Sequence, residues 1–121
     1  MRTPSIRAAV LGAALAGGLA AVPAHAHAPV VGTFPARGAT VAPIRTVSVR
    51  FGEAIIAGRI SVARSDGSVV AAPAAGLDPR NRARLRATFA RRLTPGRYTV
   101  SWRARADDGH SERGTFRFRV R

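Results

Sequence analysis

His25, His27 and His110 are the only imidazoles in a chain of 121 residues that has no cysteine and, beyond Met1, no methionine. A thiolate metal site, a Met-rich thioether site, a catalytic cysteine and a disulfide scaffold are therefore excluded. His110 closes the run Asp107-Asp108-Gly109-His110. If that run is extended, Asp108 and His110 share a face and Asp107 points the other way. At a free N-terminus, the α-amine and ring Nδ1 of His27 could close a six-membered chelate on a metal. One amine, two imidazoles and a carboxylate make a nitrogen-rich set that suits Cu(II) or Ni(II). The plainer readings are a solvated terminal histidine, an Asp-Gly turn whose aspartate bonds its own backbone, and a structural loop histidine. The residues alone leave both open.

His27 becomes a terminus only if the first 26 residues are removed, and they have the parts of a secretory signal peptide. Arg2 and Arg7 form a basic start, Ala8 to Val22 is an uncharged apolar run of 15 residues, and Pro23-Ala24-His25-Ala26 ends in a small-x-small cleavage signal. The run is short of the ~20 residues that cross a bilayer, which argues against an anchor. Cleavage after Ala26 divides the chain into a leader, 1–26, and a domain, 27–121. Ninety-five residues build one core and no more. Without disulfides, that domain depends on packing alone.

The elements that must position these groups read as strands. Val47, Val49 and Phe51 alternate with polar residues. So do Leu85, Ala87 and Phe89; Tyr98, Val100, Trp102 and Ala104; and Phe116, Phe118 and Val120. Period-two alternation gives each strand one core face and one wet face, with Trp102 on the core side. Ile60-Ser61-Val62 is a weaker strand before the turn Ser65-Asp66-Gly67-Ser68, with Val69 and Val70 starting the return. Pro35 to Gly38, Asp78 to Asn81 and Thr94 to Gly96 read as loops or turns. No stretch of residues 27–121 has convincing helical period. The fold class is all-β: a small antiparallel, immunoglobulin-like β-sandwich of about seven strands.

All 20 basic residues are arginine, against 6 acids, for a net charge of +14. Loss of the leader removes Arg2 and Arg7 and no acid, which leaves +12. Such charge suggests nucleic acid. The arginines, however, fall on the wet phase of the strands, and most aromatics fall on the inward phase, away from base stacking. The expectation is a solvated basic face and no nucleic-acid partner, with adhesion to an anionic surface as the alternative.

Tyr98-Thr-Val-Ser-Trp102-Arg103, then Asp108-Gly109-His110, then Gly114-Thr-Phe116-Arg-Phe118-Arg-Val120 resembles the C-terminal pattern of the CopC family of exported copper-binding proteins. The similarity continues through His27, Pro35-Ala36-Arg37-Gly38-Ala39, Val49-Arg50-Phe51-Gly52-Glu53 and Leu93-Thr94-Pro95-Gly96. The resemblance implies a periplasmic β-sandwich with one Cu(II) per mature chain. Its ligands would be the amine and ring of His27, Asp108 and His110. It implies that Glu53 supports the site from behind the ligands, where the bland alternative is a solvated loop acid. It implies a copper carrier or buffer in copper homeostasis and resistance, not an enzyme, acting as a monomer beside an inner-membrane copper transporter of the CopD type. A second, Cu(I) site found in some relatives needs methionine, which this domain lacks. Two rivals stand beside this reading: a copper monooxygenase-like enzyme using His27, and an arginine-rich module binding anionic surfaces without metal.

Overall fold

Alternation decides the architecture. In the longest strand, Tyr98, Val100, Ala104 and Ala106 are buried, while Arg97, Ser101, Arg103 and Arg105 between them are exposed. A computed structural model describes residues 29–121, and among these there is no helix. Eight strands follow in order: β1 (Val30–Phe34), β2 (Thr40–Val41), β3 (Thr46–Phe51), β4 (Ile55–Arg64), β5 (Ala74–Asp78), β6 (Asn81–Thr88), β7 (Gly96–Ala106) and β8 (Ser111–Val120). They form two four-stranded sheets, β1-β3-β6-β5 and β2-β8-β7-β4. All pairings are antiparallel except the two-residue β2, which runs parallel to β8.

The core lies between the sheets. β3 and β6 contribute Val47, Val49, Phe51, Leu85 and Ala87, and the facing sheet contributes Ile60, Val62, Val100, Phe116, Phe118 and Val120. These are the positions the alternation assigns inward. Tyr98 is buried too, with its ring stacked on Phe118 and its hydroxyl donating to the Thr94 carbonyl. Gly58 lets the sheets approach: a Cβ there would stand 2.4 Å from Leu85 Cδ2 and 2.9 Å from the Arg103 carbonyl oxygen.

Trp102 differs from its expected place in the core. It is half-buried, edge-on to Phe51 with ring centroids 5.2 Å apart, and it packs over Gly114. A Cβ on Gly114 would lie 2.7 Å from the indole, so the missing side chain makes the ring's berth. The return strand expected at Val69 also fails to extend. Val69 makes an isolated bridge to Ala63 and Val70 N–H donates to the Val62 carbonyl. Pro73, which has no N–H to offer a ladder, follows. The chain then crosses to the other sheet, where β5 pairs with β6.

Candidate metal centre

The β7–β8 connection is a four-residue turn, Asp107 to His110. Ala106 N–H donates to the His110 carbonyl at 2.8 Å and Gly109 N–H to the Ala106 carbonyl at 3.0 Å. Gly109 sits at φ +88°, a conformation that glycine adopts without steric cost. The Asp108 carboxylate then does two things. Oδ1 accepts the His110 backbone N–H at 2.9 Å, and Oδ2 lies 2.9 Å from His110 Nδ1. With Nδ1 held by the carboxylate, Nε2 is the nitrogen the ring has left for a ligand. The His110 side chain is 75% exposed, so that nitrogen is presented to solvent.

The structure thus joins Asp108 to His110, as expected, but by a different device. The pair meets through an Asx turn inside a hairpin connection, not through alternation along an extended strand. Asp107 is exposed in the same turn.

Two other segments reach this end of the sandwich. Gly52, after β3, donates its N–H to the Pro29 carbonyl at 2.8 Å, and Val30 pairs with Phe51. Ile55 at the start of β4 pairs with Ala106 at the foot of the turn. The loop carrying the exposed Glu53 therefore bridges the beginning of the described chain and the Asp108–His110 turn. Glu112, the second residue of β8, adds a fourth acid, so four of the chain's six acids (Glu53, Asp107, Asp108, Glu112) gather at one end of a strongly basic protein. His27 and the leader, residues 1–26, lie outside the described residues. Among the described residues, no group of three or more His, Asp or Glu stands together as a metal site.

Sequence reasoning placed Asp78 in a loop. It ends β5 and is fully buried, accepting the Arg80 N–H at 2.9 Å through Oδ1 and Arg84 Nε at 2.8 Å through Oδ2. Its role is structural. The signal for it, an Asp followed two and six residues later by Arg, is too common to read as a buried pair.

Two four-stranded sheets, antiparallel but for the short β2–β8 pairing, with four acids at one hairpin end, define a small β-sandwich. The chain belongs to the CopC family: the CopC domain model matches residues 30–121. The crystal structure of CopC from Methylosinus trichosporium OB3b is similar at TM-score 0.67 and 27% identity, over 78% of this chain and 93% of that one. PcoC, a methionine-rich copper resistance protein from Escherichia coli, shares the fold at TM-score 0.66 and 22% identity, over 79% of this chain and all of that one. No curated protein sequence matches the chain.

Proposed function

We propose that this chain is an exported Cu(II)-binding protein that carries or buffers copper in homeostasis and resistance. The ion is cargo, one per mature chain, held by the amine and ring of His27, Asp108 and His110, with Glu53 supporting the site. The observation that carries the reading is the Asp108–His110 pair, locked in a turn whose foot, Ala106, pairs with Ile55, three residues beyond the Gly52 that bonds the Pro29 carbonyl. Two residues of chain span at most about 7 Å, so covalent reach keeps residue 27 close to Pro29. A site short of ligands among residues 29–121 is what this reading expects, because the missing nitrogens belong to residue 27. Gathered acids on an otherwise basic surface favour a cation there.

The ligands are nitrogen and oxygen, which suit Cu(II) in an oxidising compartment, and the domain has no methionine for Cu(I). Export would create the site, since the His27 nitrogen is an amide until the leader is cut. The role is binding, not catalysis: Asp108 as a fourth ligand would fill the equatorial position that oxygen chemistry needs open. A CopD-type inner-membrane transporter is the partner such a carrier would serve. The test is to purify the protein from the envelope and weigh it intact. A mass beginning at His27, with one copper per chain, is expected. A retained leader, or a chain that stays metal-free in copper-rich medium, would overturn the proposal.

A further inference from the structure

The outward face of the β2-β8-β7-β4 sheet has no part in the copper reading, and its charge is organised. Register sets Arg59, Arg103 and Arg113 directly opposite one another across β4, β7 and β8. Two residues along, Ser61, Ser101 and Thr115 form a parallel row of hydroxyls. These six exposed side chains line an open depression of about 740 Å³. At the far end of the same face, Arg97 faces Arg119 and Arg117 faces Thr99, around a second depression of about 550 Å³. Arg105 completes the set beside a third.

The fold gains nothing visible from this arrangement. Like charges directly opposite on a sheet are destabilising. No acid stands at an outward position of β4, β7 or β8, and among the described residues none of these arginines is in an ion pair. The other sheet also sets two arginines opposite each other, Arg50 and Arg84, but there Arg84 is neutralised by Asp78; just before β3, the Arg45 guanidinium donates to the Phe89 and Ala90 carbonyls. A row that opposes the fold and is left unneutralised calls for a ligand that supplies the charge.

We infer that this face docks on an anionic phospholipid surface. Guanidinium forks match phosphate geometry. The charges spread in two dimensions, three strands wide and five rows long, which fits a plane of headgroups better than a single polymer chain. The aromatic residues that line the two depressions, Trp102, Tyr98 and Phe118, are on the inward phase with their rings packed on Phe51 or on each other, so the face offers no free stacking platform for bases. Its exposed large apolar residue, Ile56, stands alone at the β4 bulge, at the end of the face, so the contact is peripheral, electrostatic and reversible by salt.

The test is sedimentation of the envelope-purified protein with phosphatidylglycerol-containing vesicles and with pure phosphatidylcholine vesicles. Binding to the anionic vesicles alone, lost at high salt, is expected. Replacing Arg59, Arg103 and Arg113 together by Gln should weaken it roughly 100-fold, at about a tenfold or lesser step per arginine. The same replacement of Arg50, Arg82 and Arg86 on the other sheet should leave most of it. The row variant should melt at the same temperature as the parent or higher. Equal losses in the two triple variants would show that net charge alone acts, and would overturn the assignment. So would a row variant that melts lower, complete competition by inorganic phosphate at low ionic strength, or tighter binding to duplex DNA than to vesicles.

Discussion

Asp78 and Asp108 begin from the same local chemistry and end in opposite surroundings. Each carboxylate caps a turn by accepting the backbone N–H two residues on, at 2.9 Å in both cases. Each uses its second oxygen on a cationic or ionisable side chain, Arg84 for Asp78 and His110 for Asp108. The difference is burial. Asp78 is covered, and its pair with Arg84 ties the β5–β6 turn to the sheet. Asp108 and His110 stand at the rim, where the same geometry orients an imidazole toward solvent. The same Asx turn is thus a structural clamp at Asp78, where it is covered, and the proposed ligand mount at Asp108, where it stands at the rim.

The comparison breaks most sharply on copper. His110→Ala should cost more than ~100-fold in Cu(II) affinity, and Asp108→Ala at least ~10-fold, since even groups that only orient a ligand are worth that much. Asp78→Ala and Asp107→Ala should leave affinity nearly unchanged in the same titration. A clear copper defect in Asp107→Ala that matched Asp108→Ala would mean that the turn does not select between them.

The ranking should reverse for stability. Asp78→Ala should lower the melting temperature by several degrees, while Asp108→Ala should lower it far less. Acid sharpens this contrast. The Arg80 N–H, and then the Arg84 side chain, hold the Asp78 carboxyl below the ordinary carboxylate range. A carboxyl depressed in the folded state contributes stability above its unfolded pKa and loses it as pH falls through the folded one. Melting temperatures taken from neutral pH downward should therefore fall below about pH 4, and Asp78→Asn should flatten that limb. Asp66, held low by its hydrogen bonds from Ser68, adds in the same direction. An acid limb unchanged in Asp78→Asn would assign it elsewhere.

Steric predictions are smaller. Gly58→Ala should cost about 1–3 kcal/mol by pushing Leu85 and the β7 backbone apart, read as a shift in the denaturation midpoint. Trp102→Ala should cost roughly 2 kcal/mol, less than a fully buried ring, because Trp102 lies half-exposed at the margin.

The core was legible in the sequence because burial follows alternation, and Val47, Val100 and Phe116 fall where period two puts them. Outside the candidate site, three things were not legible. Register across strands is a long-range property, so the arginine row of Arg59, Arg103 and Arg113 is invisible in a list of arginines. Asp78 reads as a loop acid because sequence gives turns but not what covers them. Trp102 follows the inward phase, yet its burial depends on Gly114, twelve residues away in sequence and opposite in the sheet. At the candidate site the meeting of Asp108 with His110 was legible but its geometry was not, since Asp-Gly favours a turn over the extended run that alternation needs.

The central claim is that copper needs the free amine of His27, so the most direct measurement compares two chains. One starts at His27, and the other carries a single alanine before it. Cu(II) titration with paramagnetic resonance should show one tetragonal ion bound tightly to the first. The second should bind much more weakly, with an altered spectrum. Equal affinity and identical spectra in the two would remove the amine from the ligand set and contradict the proposed site.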